Sequence, residues 1–469
     1  MRNLGAYAAN AISPRVRLGV TGLSRSGKTV FTTALVHHLI GVTPLPVFRA
    51  SAEGRIRRAI LDDQPDDAVP RFPFEEHLAT LGEPHRRWPE STTRIAELRV
   101  AIDYERRAGW RSGPAHLAVD IVDYPGEWLI DLALLDKDFA SWSRDTLAAS
   151  RANGRAVIAA PWHAALAEHD PKKPASEMDI GRLSDLFKVY LTALREGPER
   201  VATTPPGRFL MPGDLAGSPA LTFSPLDLPP GAEPAPKSLH AQMERRFDAY
   251  RTHVVRPFFR DHFSQLDRQI VLVDVLSALD SGPLALAELE DALDRVLLAF
   301  RAGSNTLISS LFAPRIDKVL FAATKADHLH RSDHARLEAI LRLLVDRSLR
   351  RTRGAGARVE TMALASIRAT REASVRSGRE TLPAIVGTPE AGECIGDELF
   401  DGMTEAAIFP GELPEDPHAV FSGAIAPGAL RFPRFRPPLR MPDAAGRLPP
   451  LPHIRLDRAL EFLIGDRLI

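Results

Sequence analysis

The stretch RVRLGVTGLSRSGKTV, residues 15–30, decides the fold. Residues 15–21 are typical of a short buried strand, and the residues from Lys28 to about Ile40 predict a helix. Between them, residues 22–29 match the spacing G-x-x-x-x-G-K-[ST] of a phosphate-binding loop. Because this motif requires a strand before the loop and a helix after it, the sequence predicts a binding site for a nucleoside triphosphate.

The residue types of this loop suit a triphosphate and its metal ion. Glycine lets the backbone approach phosphates where a side chain would collide, and the N–H groups of the loop face the anion. Lys28 would neutralise charge on the β- and γ-phosphates, which makes it a catalytic candidate, and the Thr29 hydroxyl would bind Mg²⁺. The structural alternative is a glycine-rich turn with an accidental lysine. The expected nucleotide contacts are Gly22, Ser24, Arg25, Ser26, Gly27, Lys28, Thr29 and Val30.

A second motif, Asp123-Tyr-Pro-Gly126, follows a predicted strand at 116–123. An aspartate at the end of a strand beside the loop can hold Mg²⁺ through water, and the Gly126 N–H can meet the γ-phosphate. Glu127 comes next, where a catalytic residue that orients the attacking water would be useful. Its charge would repel the γ-phosphate unless that charge is compensated. The alternative is a strand that ends on an aspartate and is followed by a Pro-Gly turn.

A third motif, Thr324-Lys325-Ala-Asp327, ends a predicted strand at 317–324. The Asp327 carboxylate can accept hydrogen bonds from guanine N1–H and N2–H₂, a pair of donors that adenine lacks. The stem of Lys325 can pack over the plane of the base while its charge stays in water. These residues therefore predict recognition of guanine, and a helix N-cap at Asp327 is the structural alternative.

Other signals are weaker. Ala365 and Ser366 end a predicted strand at 358–365, and their backbone N–H groups could meet the base carbonyl O6. Thr92 could reach Mg²⁺ and the γ-phosphate only when the triphosphate is bound, which would make it a catalytic and metal-binding switch residue; Thr93 is the alternative. An ordinary turn and ordinary loop threonines explain the same residues. The arginines that could act as an internal arginine finger, or remain solvated charges, are Arg86, Arg87 and Arg94.

Composition excludes several classes of protein. With 60 Lys+Arg and 60 Asp+Glu among 469 residues, the formal net charge is zero, so no affinity for nucleic acid is expected. Cys394 is the one cysteine and cannot form an internal disulfide, so the fold does not depend on an oxidising compartment. We expect no secretory signal and no transmembrane segment. The sequence therefore predicts a cytoplasmic protein whose membrane contact would be peripheral and made through a partner.

The order of the predicted elements indicates an α/β fold. Strands that alternate with helices predict a mainly parallel sheet with helices on both faces, and such sheets bind ligands at the carboxyl ends of their strands. We expect a core at 12–128 and 260–469, with helical pieces at 51–87 and an irregular Pro-rich insertion at 380–450. A mostly helical domain at 129–259 is expected to interrupt this core. Strands are expected at 15–21, 95–104, 116–123, 268–276, 317–324 and 358–365, and helices at 130–160, 176–196, 238–258, 284–301, 303–312, 331–350 and 455–467.

The order of phosphate loop, threonine, D-x-x-G, T-K-x-D and A-S at successive strand ends resembles the layout of Ras-like regulatory GTPases. More closely, GLSRSGKTVFTT, VDYPGEWLIDL, PGRFLMPGDLAGSPALTFSPL and RFRPP resemble the YcjX family of bacterial P-loop proteins over nearly the whole chain. The resemblance implies a GTPase core, an inserted helical domain and a stress-linked role beside a small membrane protein; members have also been labelled as ATPases. Glu127 stands where Ras-like proteins usually have glutamine, which puts the hydrolysis mechanism in question.

These observations predict a slow, Mg²⁺-dependent GTPase that acts as a switch and meets a protein partner, with a membrane protein as one candidate. The segments near Thr92 and at 123–128 would change order with the nucleotide. An ATPase, a small-molecule kinase and a nucleotide-stabilised scaffold with negligible turnover are the alternatives. A kinase would turn over only with an acceptor, and a scaffold would bind nucleotide tightly without releasing phosphate.

Overall fold

The computed structural model describes residues 14–22, 26–64, 66–82, 86–90, 94–107, 113–152, 154–196, 205–299, 316–354, 357–377, 380–422, 425 and 429–469. Its strands are β1 Arg15–Gly22, β2 Ile56–Asp62, β3 Ala96–Arg106, β4 Gly113–Asp123, β5 Arg268–Val273, β6 Lys318–Ala323, β7 Arg358–Ala363, β8 Arg371–Ser377, β9 Glu380–Gly387, β10 Cys394–Ile395, β11 Glu398–Leu399 and β12 Ala406–Ile408. Its helices are α1 Lys28–Ile40, α2 Arg49–Ala52, α3 Phe74–Thr80, α4 Glu127–Ile130, α5 Phe139–Arg151, α6 Arg155–Ala167, α7 Glu177–Glu196, α8 Leu239–Tyr250, α9 Arg256–Asp261, α10 Val275–Ser281, α11 Pro283–Ala299, α12 His334–Gly354 and α13 Leu456–Ile464.

Seven strands form one sheet in the order β2-β3-β4-β1-β5-β6-β7. The strands from β4 to β7 in this order run parallel; β3 is antiparallel to β4, and β2 is antiparallel to β3. Every residue of β5 is buried, as expected for a central strand of a sheet covered on both faces. The predicted α/β fold with a mainly parallel sheet is therefore confirmed.

The chain divides into two compact units. Unit 1 consists of Met1–Tyr124, Leu266–Leu286 and Arg315–Ile469 and contains the seven-stranded sheet. Its main core includes apolar residues of α1 and α13 together with the buried residues of the sheet, with Phe31 and Leu460 among them. The apolar residues of α13 recur at helical spacing, which explains why this last segment forms a helix with one buried face.

Unit 1 also contains a three-stranded antiparallel sheet in the order β12-β9-β8. A small apolar cluster formed by Ile385, Phe400, Ile408 and Phe435 belongs to it. Phe435 forms an isolated antiparallel bridge with Pro389, two residues beyond the end of β9. We call β8, β9 and β12, together with residues 434–437, the accessory sheet.

Unit 2, Pro125–Gln265 and Ala287–Pro314, is mostly helical in its described part. Its core is rich in aromatic rings, such as Trp142 stacked on Phe247 with ring centres 4.9 Å apart. The Asp138 carboxylate caps α5 by accepting the N–H of Ser141. The domain boundaries predicted from the sequence stay a prediction.

Some stretches fold differently from the sequence-based expectation. Residues 51–87, expected to be helical pieces, contain the strand β2 between α2 and α3. This edge strand has exposed arginines at 57 and 58, so it lacks the alternation that predicts a strand. The stretch 130–160, expected to be one helix, is interrupted by the 3₁₀ turn Asp131–Asp136 and by Gly154 with a φ of 74°. The helix expected at 303–312 lies outside the described residues.

Across the ranges described above, no helix combines the length and the apolar character that crossing a bilayer requires.

Candidate nucleotide-binding site

Five parallel strands end at the same edge of the large sheet. These strands are adjacent in the order β4, β1, β5, β6 and β7, so the residues that follow their ends lie side by side. This edge is where parallel sheets bind ligands. The described site residues that follow these strands in unit 1 gather here, since the strands end at Asp123, Gly22, Val273, Ala323 and Ala363.

The loop after β1 is shaped by two glycines. A Cβ atom on Gly22 would collide with the Ser26 hydroxyl and would lie 2.5 Å from the Leu272 carbonyl oxygen, so no side chain fits at this position. Gly27 has a φ of 85° directly before α1, a conformation that favours glycine. The Ser26 hydroxyl is buried and has no hydrogen-bond partner in the described part of the chain. These features are those of a backbone cradle for an anion.

Lys28 begins α1 and is buried. Its ammonium group donates a hydrogen bond to the Gly22 carbonyl oxygen at 2.8 Å, which holds the charge at the base of the loop. An ammonium group has three donor hydrogens, so it can contact a phosphate while it keeps this bond. The positive end of the α1 dipole adds to the attraction for an anion.

Thr29 and Asp123 are buried beside the same loop. The Thr29 hydroxyl donates to the Glu90 carbonyl oxygen at 3.2 Å, and Asp123 is the register partner of Val20 in β1. A hydroxyl and a carboxylate, completed by water and phosphate oxygens, suit the oxygen preference of Mg²⁺. No cluster of three or more His, Cys, Asp and Glu side chains suited to a metal occurs among the described residues. The residues present therefore fit a metal ion that is bound together with phosphates.

Gly126 and Glu127 lie at the start of unit 2, two residues beyond the end of unit 1. Glu127 begins α4 and is 1% exposed, and neither of its carboxylate oxygens has a hydrogen-bond partner among the described residues. Gly207 packs closely on it, because a Cβ there would collide with the Glu127 carbonyl oxygen. A buried carboxylate without a donor is costly to keep in a fold, and the catalytic role of Glu127 stays a prediction.

Asp131 anchors the segment that follows Glu127 within unit 2. Its buried carboxylate accepts hydrogen bonds from the backbone N–H groups of Gly207 at 2.6 Å and Arg208 at 3.2 Å, and from the Tyr250 hydroxyl at 2.5 Å. Burial raises the pKa of Asp131 to about 6, and these hydrogen bonds oppose that rise. Sequence reasoning missed this network, because its members lie far apart in the chain.

The loop after β6 carries the candidate base-recognition residues. The Thr324 N–H donates to the Val273 carbonyl at 2.9 Å, and Lys325 adopts the left-handed region with a φ of 60°. Asp327 is buried, and its Oδ2 accepts the Ala369 N–H at 2.8 Å. This bond orients the carboxylate, whose Oδ1 can still accept a hydrogen bond from a base.

Sequence reasoning also missed Asp274, a second carboxylate at this edge. Asp274 follows β5 and caps α10 by accepting the Ser277 N–H at 3.1 Å. Its Oδ2 lies 2.5 Å from the Lys325 ammonium nitrogen, which holds the lysine stem in place. The signal that could have identified it is the one used for Asp123, an aspartate at the end of a buried strand.

In the loop after β7, some backbone N–H groups already donate hydrogen bonds within the protein. The Ala365 N–H donates to the Ile454 carbonyl at 3.1 Å, so a contact between this N–H and a base would require that bond to break. Ser366 is buried beside it. His328 is also buried; desolvation lowers its pKa, and its ring packs edge-on against Phe435 with ring centres 5.2 Å apart.

Residues 86–90 precede the predicted switch threonine and contact the accessory sheet. The Trp88 indole N–H donates to the Phe435 carbonyl oxygen at 2.6 Å, and Arg86 Nε donates to the Pro437 carbonyl oxygen at 2.8 Å. These bonds favour a structural role for Arg86 over that of an arginine finger. Four candidates lie outside the described residues, and their roles stay predictions: Ser24, Arg25, Thr92 and Thr93.

Comparison with known proteins extends these observations. Residues 16–468 match the family described as YcjX-like family, DUF463. A protein of Escherichia coli (strain K12) named Ras-like GTPase YcjX is 37% identical over 486 aligned residues, which cover 99% of this chain and 98% of that protein. A Shewanella oneidensis protein of the same name is 32% identical, with 97% of this chain and 94% of that protein covered.

Proposed function

This chain belongs to the YcjX-like family, and from that premise we propose that it is a slow GTPase that binds GTP at the edge of its large sheet. The observation that carries the proposal is the phosphate loop, in which Gly22 leaves no room for a side chain and Lys28 is held 2.8 Å from the Gly22 carbonyl oxygen. Both named relatives are Ras-like GTPases by name. The glycine positions and the buried Lys28 support triphosphate binding on physical grounds alone.

The phosphates are bound by unit 1. Gly22 and the start of α1 face them, and Lys28 neutralises the charge that develops on the β–γ bridge. Mg²⁺, when bound, draws negative charge from the β- and γ-phosphates. Thr29 and Asp123 would hold this ion, and Thr92 is proposed as a third contact that forms only with the triphosphate.

Guanine selectivity is assigned to the loop after β6. Asp327 accepts hydrogen bonds from N1–H and N2–H₂ of the base, and Lys325 packs its stem on the base plane. Ser366 is the candidate donor to O6. Adenine lacks the N1–H and N2–H₂ donors, so it would bury Asp327 without these two hydrogen bonds. This loss is the physical reason to favour GTP over ATP.

Hydrolysis is assigned to a water oriented by Glu127. The water oxygen forms a bond to the γ-phosphorus as the bond from that phosphorus to the β–γ bridging oxygen breaks. The support is the buried Glu127 carboxylate, for which no donor is found among the described residues. The segments at 123–128 and near Thr92 change order with the nucleotide, and unit 2 presents a surface to a protein partner.

The proposal is tested by phosphate release from GTP with Mg²⁺. The wild-type chain should release phosphate, and Lys28→Ala should lose binding of a GTP analogue. Lys318→Ala is the matched control, since Lys318 begins β6 at the opposite edge of the sheet and donates to the Phe462 carbonyl. This control should keep nucleotide binding.

Each other outcome selects an alternative. Tight binding of GTP without phosphate release would indicate a nucleotide-stabilised scaffold. Turnover only in the presence of a small-molecule acceptor would indicate a kinase. Equal losses in Lys28→Ala and Lys318→Ala would contradict the role given to the phosphate loop.

A further inference from the structure

We propose that Phe435 is a positioning residue that couples recognition of the guanine base to the segment 86–90 beside the phosphates. This inference rests on the proposed function, because it concerns regulation of the same nucleotide site. It follows from a continuous path of contacts, all within unit 1, that runs from Asp327 through the accessory sheet to Thr29. Coupling between two sites requires such a contiguous element and evidence that it responds to both.

The first link joins the base-recognition loop to the accessory sheet. Asp327 Oδ2 accepts the Ala369 N–H at 2.8 Å, and the Asp327 carbonyl oxygen accepts the Thr370 hydroxyl at 2.5 Å. The next residue of the chain, His328, packs its ring edge-on against the Phe435 ring at 5.2 Å. If base binding shifts this loop, the His328 ring would therefore displace the Phe435 ring.

The second link joins Phe435 to the segment 86–90. The Phe435 carbonyl oxygen accepts the Trp88 indole N–H at 2.6 Å. The neighbouring Pro437 carbonyl accepts Arg86 Nε at 2.8 Å, and the Arg86 guanidinium also donates to the Thr388 hydroxyl at 3.3 Å. The segment is thus held to the accessory sheet at both Arg86 and Trp88.

The third link joins this segment to the phosphate loop. Glu90 lies two residues beyond Trp88, and its carbonyl oxygen accepts the Thr29 hydroxyl at 3.2 Å. Thr29 is the residue proposed to hold Mg²⁺. Donation of the hydrogen to Glu90 uses neither lone pair of the Thr29 oxygen, so the hydroxyl can keep this bond while it binds Mg²⁺. A displacement of Thr29 on metal binding would therefore act on the segment through this bond.

Phe435 connects the two contacts because its ring packs on His328 while its carbonyl oxygen accepts the Trp88 N–H. The ring and the carbonyl oxygen belong to one closely packed residue and cannot move independently. The ring is 1% exposed, and a Cβ on Gly387 would lie 2.8 Å from its Cδ1, so its space is closely filled. The antiparallel bridge with Pro389 fixes the backbone. Because the space around Phe435 is filled, a displacement of its ring would also move its carbonyl oxygen.

The test uses the full chain and the ¹⁵N indole resonance of Trp88, identified by its loss in Trp88→Phe. The probe is GMP, which presents guanine without β- or γ-phosphates, with AMP as the comparison. Binding of each nucleotide is measured separately by calorimetry. Saturating GMP should shift the Trp88 resonance in the wild-type chain. In Phe435→Leu, which keeps an apolar side chain but removes the ring facing His328, GMP should still bind while the shift falls by at least about half.

Phe400→Leu is the matched control. It removes the same group from the same apolar cluster, so it reproduces any general loosening of the accessory sheet. The shift caused by GMP should persist in this variant, which separates coupling through Phe435 from loss of packing.

The contradicting results are distinct. GMP bound by the wild-type chain without a shift of the Trp88 resonance would overturn the coupling and leave the proposed function in place. An equal shift in Phe435→Leu would overturn the role of Phe435. Binding of AMP as tight as that of GMP would overturn guanine recognition and the coupling with it.

Discussion

The ammonium group of Lys325 lies 2.5 Å from Oδ2 of Asp274, so an ion pair joins the ends of the neighbouring parallel strands β6 and β5. The pair holds the lysine stem where it can cover a base. Asp274→Asn keeps the capacity to cap α10 and removes the charge. Because Lys325 is partly exposed, we expect a modest loss, roughly fivefold in GDP affinity, measured by calorimetry.

The control for this prediction is Asp280→Asn, which removes a carboxylate from the same helix at an exposed position. It should leave GDP affinity within about twofold of wild type, as expected for a surface substitution. Equal effects of the two variants would mean that Asp274 acts only through the net charge of this region.

Gly22 and Gly54 allow a test of the close approach in the phosphate loop. Gly22→Ala would place its Cβ 2.5 Å from the Leu272 carbonyl oxygen, so the loop must shift. Strain of this kind costs about 1–3 kcal/mol, and affinity for a GTP analogue should fall about 10- to 100-fold. At Gly54 nothing lies within 4 Å of an added Cβ, so Gly54→Ala carries backbone strain alone and should keep nucleotide affinity. Unchanged affinity in Gly22→Ala would contradict the cradle.

Asp131 makes the stability of the protein depend on pH in a defined direction. Burial raises its pKa from 3.8 to about 6, so the folded state binds this proton more tightly than the unfolded state. The free energy of unfolding must then fall as pH rises through that interval. Relative to Asp131→Asn, which does not titrate, the wild-type chain should lose up to about 3 kcal/mol between about pH 4 and about pH 7. Urea unfolding followed by tryptophan emission measures this difference.

Asp136→Asn is the matched variant for the pH experiment. It lies in the same 3₁₀ turn as Asp131 but is exposed. It controls for the loss of a carboxylate from this turn. A flat difference for Asp131→Asn would show that its carboxylate is not buried in solution.

Glu127→Ala separates binding from hydrolysis. The substitution removes the side-chain group that would orient the attacking water. Phosphate release from GTP should fall by about 100-fold or more, while affinity for a GTP analogue stays close to wild type. Turnover at the wild-type rate in the variant would remove Glu127 from the mechanism.

Local patterns in the sequence predicted the strands of the large sheet well, because buried parallel strands form continuous apolar runs. The run that became β5 and the loop at Gly22 are clear examples. The edge strand β2 escaped prediction because solvent reaches one side of it and its charged residues hide the alternation. The interruption of the predicted helix 130–160 at Asp131 was not predicted either. It depends on tertiary contacts of the Asp131 carboxylate with Gly207 and Tyr250, which local sequence patterns do not reveal.

In the candidate site, too, contacts between residues far apart in the chain could not be predicted from local patterns. Lys28, Asp123 and Asp327 belong to motifs with fixed spacing, so the sequence pointed to them. Asp274 meets Lys325 only because β5 and β6 are neighbours in the sheet. Phe435 and Trp88 are 347 residues apart in the sequence, and the stretch RFRPP has no periodicity from which this contact could be predicted.

Recognition of guanine by Asp327 is proposed to set the preference for GTP over ATP. The most direct measurement is equilibrium binding of GDP, a GTP analogue, ADP and an ATP analogue, each with Mg²⁺, to the wild-type chain and to Asp327→Ala. Guanine nucleotides should bind more than about tenfold tighter than adenine nucleotides, and Asp327→Ala should lose this preference. Adenine nucleotides that bind as well or better would contradict the role of Asp327 and would point to an ATPase or a kinase.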